Sequence, residues 1–284
     1  MLTLERVDHI SMGHANWKEQ SGRLERLLGF KFLSSFGAGP TADFDGCVSQ
    51  VPGTGIEFEI ISPVGERSFV QKFLNEQGPG LHHITVQVPD INRTVEELQE
   101  LGITPFGGIA DDGAWKLTYI HPKDSGGILW QLFTPYRFPG EHDRTTTGGV
   151  TGVKRVDHVS LACRDLAKQV DWQQRVFGME PDGDEWTDER LGYRGRVMRI
   201  PNSKLQFEMM QSTREDSFVE KFIQTRRPGM HHICCEVESV DKAVDALRAE
   251  GIEPFGGIIE SDWHRHTFLH PRDSGGVLFQ LFEE

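Results

Sequence analysis

One tetrapeptide sets the frame for the whole chain. Arg6-Val7-Asp8-His9 returns as Arg155-Val156-Asp157-His158, 149 residues later. The same offset carries His82-His83-Ile84 onto His231-His232-Ile233 and Pro105-Phe106-Gly107-Gly108-Ile109 onto Pro254-Phe255-Gly256-Gly257-Ile258. It also carries Phe69-Val70 with Lys72-Phe73 onto Phe218-Val219 with Lys221-Phe222, and His121-Pro122 with Asp124-Ser125-Gly126-Gly127 onto His270-Pro271 with Asp273-Ser274-Gly275-Gly276. Scattered motif similarity would drift with loop insertions, so a single register held over most of 284 residues means that a whole module is duplicated. The expected organisation is two modules, 1–134 and 153–284. The segment 135–152, rich in Pro, Gly, Thr and charge and without apolar periodicity, reads as a linker.

Each module holds a fainter repeat. Residues 5–62 read as strand, helix and strands, and residues 80–134 do so again, each starting from a strand that bears histidine. In the first half, Asn16 is a candidate cap for a helix burying Trp17, Leu24, Leu27 and Leu28, with Gly29 just past its end. In the second half, Asp90 is a candidate cap for a helix burying Val95, Leu98 and Leu101, closed by Gly102. Asp165 and Ser239 are the corresponding caps in the second module. The predicted class is α+β: four βαβββ motifs forming two tandem modules, each with curved sheets around a cleft.

Period-two alternation decides which side chains can meet on one face of a sheet. Val7, His9 and Ser11 share a face; so do Glu57 and Glu59, then His83, Thr85 and Gln87, then Leu129, Gln131 and Phe133. The face so defined receives His9, Glu59, His83 and Gln131, and its duplicate receives His158, Glu208, His232 and Gln280. A lone strand histidine is more often structural than a ligand. Retention of all four donor types by two copies that differ at many other positions favours a metal site. Four N and O donors suit an octahedral divalent ion, with two positions left for water or substrate.

Other conserved-looking positions between the copies are given structural roles. His82 and His231 point the other way along their strands. His121 and His270 precede proline, which biases them to extended geometry and a turn. The Asp-Ser-Gly-Gly segments read as turns leading into the last strand. The formal charge of −13 argues against nucleic acid or an anionic membrane as partner, leaving a small-molecule substrate. Cys47, Cys163, Cys234 and Cys235 lack metal-type spacing and are expected to be free thiols. With no leader-like N-terminus and no apolar run of about 20 residues, a cytoplasmic location is expected.

These residues resemble the vicinal oxygen chelate superfamily, which includes glyoxalase I, methylmalonyl-CoA epimerase, extradiol dioxygenases and 4-hydroxyphenylpyruvate dioxygenase. The similarity is nearest to the epimerase form. It rests on Val7-Asp8-His9-Ile10, Phe58-Glu59-Ile60-Ile61-Ser62-Pro63, Phe69 to Phe73 ahead of Gly80-Leu81-His82-His83-Ile84, and His121-Pro122 ahead of Gly126-Gly127-Ile128-Leu129. It implies paired βαβββ motifs and a divalent metal (Co, Ni, Zn, Mn or Fe) that chelates neighbouring substrate oxygens. One departure matters: the epimerase pattern places glutamate on the last strand, whereas this chain has Gln131 and Gln280 there and carries the carboxylate at Glu59 and Glu208. The expected chemistry is stabilisation of an enediolate of a small carbonyl or acyl-thioester substrate, an isomerase or lyase reaction. Asp45 is a candidate base, although its counterpart is Arg194, and metal-bound Glu59 or Glu208 is the competing one. The alternatives are a non-haem Fe(II) dioxygenase acting on an aromatic or 2-keto acid, and a binding protein without turnover. The differences Trp115/His264 and Leu117/His266 imply that the two sites are not equivalent. Pairing that single-module relatives achieve by dimerising could be satisfied inside this chain, and a homo-oligomer remains compatible with it.

Overall fold

The computed structural model of the protein describes residues 1–37, 43–137, 146–261 and 264–284. Part of the expected linker, 138–145, lies outside the described residues. The first module runs β1 (Arg6–Gly13), α1 (Trp17–Leu28), β2 (Lys31–Phe36), β3 (Phe44–Gln50), β4 (Glu57–Pro63), α2 (Phe69–Gln77), β5 (Gly80–Gln87), α3 (Ile91–Glu100), β6 (Phe106–Asp111), β7 (Trp115–Ile120), α4 (Pro122–Ser125) and β8 (Leu129–Pro135). The second repeats it as β9 (Val153–Cys163), α5 (Leu166–Phe177), β10 (Glu180–Asp188), β11 (Tyr193–Arg199), β12 (Gln206–Ser212), α6 (Phe218–Arg226), β13 (Gly229–Val237), α7 (Val240–Ala249), β14 (Phe255–Glu260), β15 (Arg265–Leu269), α8 (Pro271–Ser274) and β16 (Leu278–Glu283).

Each module forms one eight-stranded sheet, ordered β2-β3-β4-β1-β5-β8-β7-β6 and β10-β11-β12-β9-β13-β16-β15-β14. The order mirrors itself about the two histidine-bearing strands, as two βαβββ halves side by side require. Within each half the first and last strands run parallel and the rest antiparallel.

The predicted caps all form. The Asn16 side chain accepts from the Glu19 N–H, Asp90 from Asn92 and Arg93, Asp165 and Ser239 from Lys168 and Lys242. The buried faces differ in detail from the expected stripes. Trp17 is only half-buried, while Gln20 and Ser21 join Leu24, Leu27 and Leu28 inside. On α3 the buried residues are Ile91, Thr94 and Leu98, with Val95 and Leu101 half-buried at the margin. The helices α2 and α6, capped by Ser68 and Ser217, were not anticipated as elements: nine residues offer too few turns for a clear apolar period.

By contact density the chain divides into two compact units that do not follow the modules. One is built on Met1–Asp8, the segment beginning at His83, and His158–His231; the other on His9–His82, the segment ending at Asp157, and His232–Glu284. In the first, the Gln169 amide on α5 donates to the Ser125 carbonyl at 3.0 Å, and Trp130 lies against Phe177 with ring centroids 4.6 Å apart. In the second, Gln20 on α1 donates to the Ser274 carbonyl at 2.7 Å, and Phe30 meets Phe279 edge-on. Here too Gly148 and Gly149 pack on Gly29, and the buried Thr151 hydroxyl donates to the Leu27 carbonyl, so the segment leading into β9 is fixed to α1.

These contacts explain the retained Asp-Ser-Gly-Gly turns. Gly126 and Gly275 adopt φ of 76° and 80°, and a Cβ there would stand 1.9 Å and 2.0 Å from the Gln169 and Gln20 amide oxygens. The turn expected from the motif is therefore also a docking surface for a helix of the other module. His121 and His270 serve as the turn roles anticipated for them, each ring nitrogen accepting the N–H two residues on. The four cysteines are buried and not disulfide-bonded, and burial pushes the Cys47 and Cys163 thiols up to about 11 and about 12, which leaves them protonated and unreactive.

Candidate metal centres

The parallel register of β1 and β4 pairs His9 with Glu57 and Ser11 with Glu59, which puts all four side chains on one face. His9 Nε2 lies 3.7 Å from Glu59 Oε2, and the Ser11 hydroxyl donates to the same carboxylate oxygen at 2.7 Å. Ligand atoms of His9, Glu59 and His83 all lie within 4.8 Å of one another. His9 and His83 are buried and Glu59 is half-buried, so a carboxylate approaches two imidazoles where little water screens it.

The second module repeats the arrangement from its own strands. β12 pairs with β9 so that Glu208 faces Ser160, whose hydroxyl donates to it. His158 Nε2 stands 3.7 Å from Glu208 Oε2, and ligand atoms of His158, Glu208 and His232 again fall within 4.8 Å of one another.

The two expected glutamines differ. Gln280 Oε1 lies 3.1 Å from His232 Nε2, adjoining the second cluster directly. Gln131 shares a face with His83 through the β5–β8 register, but its amide is engaged locally: Thr85 donates to Oε1 at 2.7 Å and Nε2 donates to the Tyr119 hydroxyl at 3.2 Å.

Asp45, the other candidate base, lies on the opposite face of the sheet from Glu59. The β3–β4 register pairs Asp45 with Ser62 on the face that carries Cys47, Phe58 and Ile60, whereas Val48 and Glu59 project from the other. The register of β3 could not be read from its own residues, and a one-residue difference inverts the face. Its counterpart Arg194 bonds to Gln211 instead. His82 and His231 also lie away from the ligands, each against two phenylalanine rings, Phe69 with Phe73 and Phe218 with Phe222. Burial drives both imidazoles down to about 4.

Sequence reasoning passed over Tyr119, whose strand it had not delimited, and gave no role to Ser11 and Thr85, although these two follow from alternation on strands already identified. Ser11 also recurs as Ser160 at the repeat offset. Two imidazoles and one carboxylate converging from three neighbouring strands, β4, β1 and β5, form a donor set that fits a divalent first-row metal.

Comparison with known proteins agrees with this geometry. The family model described as Glyoxalase/Bleomycin resistance protein/Dioxygenase superfamily matches residues 8–119 and again 157–268. The mitochondrial methylmalonyl-CoA epimerase of Homo sapiens is 31% identical over 138 residues, covering 48% of this chain and 77% of that protein. An ethylmalonyl-CoA/methylmalonyl-CoA epimerase of Cereibacter sphaeroides is 29% identical, covering 45% of this chain and 97% of its own length. Among solved structures, a 4-hydroxymandelate synthase variant from Streptomyces coelicolor superposes over 100% of this chain and 93% of its own, with TM-score 0.72 and 15% identity, a likeness of fold alone.

Proposed function

Because the chain belongs to the Glyoxalase/Bleomycin resistance protein/Dioxygenase superfamily, we propose that it is a divalent-metal-dependent enzyme of the epimerase type, acting next to the carbonyl of an acyl thioester. The observation that carries this reading is the His-Glu-His cluster found once in each module, 1–134 and 153–284. His9, Glu59 and His83 would hold one metal, and His158, Glu208 and His232, adjoined by Gln280, a second. The metal, when bound, would polarise the substrate carbonyl and offset the charge that develops as the neighbouring proton leaves. The epimerase relatives supply the substrate class, a carboxyacyl thioester of coenzyme A.

In this reading Glu59 and Glu208 take up that proton, each lying beside a histidine of its own cluster. Ser11 and Ser160 each donate to the carboxylate Oε2, which fixes the orientation of the group. Incubation of the metal-loaded protein with methylmalonyl-CoA in heavy water tests the proposal. Exchange of the α-proton, seen by NMR and lost on chelation, is expected. Metal-loaded protein that catalyses no exchange contradicts it.

A second reading has one specific observation in its favour: two histidines and one carboxylate is the ligand set of non-haem Fe(II) oxygenases. Oxygen consumption by the iron-loaded protein with an aromatic 2-keto acid, without α-proton exchange on the thioester, would favour it.

A further inference from the structure

A glutamine offers a metal only its carbonyl oxygen. Rotating the amide by half a turn replaces that oxygen with an NH2 group of nearly the same shape, so the useful orientation must be held by a neighbour that accepts from Nε2. The two modules provide that neighbour from different places. In the first, Tyr119 stands directly across β7–β8 from Gln131, with its hydroxyl 3.2 Å from Nε2. In the second, the residue across from Gln280 is Phe268, which has no polar atom, and His264 Nε2 lies 3.2 Å from the Gln280 Nε2 instead. The position equivalent to His264 is Trp115, which is packed edge-on against Phe133, has its indole N–H directed to Asp112 and has no lone pair to offer. Each module lacks the device that the other uses.

Resting on the metal reading above, we infer that Tyr119 and His264 are positioning residues, each fixing the amide of the glutamine that shares the sheet face of its own metal centre. His264 does so as an acceptor of the Gln280 N–H, which turns Oε1 toward His232. Thr85 adds a second restraint in the first module, donating to Gln131 Oε1, where the second module has Cys234, a much weaker donor. The two centres therefore carry the same residue type, held to different degrees and by different partners.

Cobalt(II) titration, followed through its visible absorption, separates the sites when each is read with the other disabled. In a His158→Ala background only the first centre remains; in His9→Ala only the second. Adding Tyr119→Phe to the former and His264→Trp to the latter should each weaken cobalt binding by about tenfold or more and shift the absorption bands. Adding Phe268→Tyr to His264→Trp, which transplants the first module's device, should recover affinity and spectrum. Cobalt bound with unchanged affinity and spectrum in both variants overturns the inference while leaving the metal reading intact. A loss that Phe268→Tyr does not repair assigns His264 a merely structural role and overturns it for the second site. No cobalt bound by the unmodified protein removes the metal reading and this inference with it.

Discussion

Gln173 occupies in α5 the position that Leu24 holds in α1. It is fully buried, and its amide has no hydrogen-bond partner among the described residues. A buried amide without partners forfeits its hydration and gains nothing in return, so Gln173→Leu should raise stability by about 1–2 kcal/mol in urea denaturation. Glu59 works the other way, held by Ser11 beside His9. Glu59→Gln in the His158→Ala background should lower the rate of α-proton exchange by about 100-fold or more, as loss of a general base does, and an unchanged rate would exclude Glu59 as the base. His82 and His231 set an acid limit. Their folded pKa, about 4, lies below the unfolded value near 6.5, so the unfolded chain binds protons first. Stability contributed by the neutral rings is present above about pH 6.5 and is lost as pH falls toward 4; melting temperature followed across that window should drop, and less steeply in His82→Phe.

The elements show where sequence sufficed and where it did not. Caps at Asn16, Asp90, Asp165 and Ser239 were legible because a cap is a local bargain between one side chain and the next turn's N–H groups. The faces of β1, β4 and β5 were legible because alternation is strict along a strand. The face on which Asp45 lies was not legible, because it is set by the register of β3 with β4, a non-local property. The partners of Gln20 and Gln169 were equally out of reach: each meets a turn 254 or 44 residues distant. That meeting gives the turns a second function, so Gln169→Ala, which strands the Ser125 carbonyl, should cost about 1–3 kcal/mol by urea denaturation. A cost near zero would reduce the Asp-Ser-Gly-Gly segment to a simple turn.

Duplication makes the chain its own control. The repeat predicted four βαβββ halves, and these form the two eight-stranded sheets. It did not disclose that the compact units join halves from different modules, because an offset in sequence carries no information about which copies pack together. Among the described residues no helix is long and apolar enough to cross a membrane. Residues that differ between the copies include Tyr119 and His264, the proposed holders of the two glutamine amides, whereas His, Glu and His recur in both. The central claim is that each module holds its own divalent metal. Elemental analysis after dialysis against a weak chelator, with His9→Ala and His158→Ala beside the unmodified protein, tests it most directly. The account predicts about two equivalents of metal, falling by about one in each variant. No metal retained even after reconstitution, or an amount indifferent to both substitutions, would contradict it.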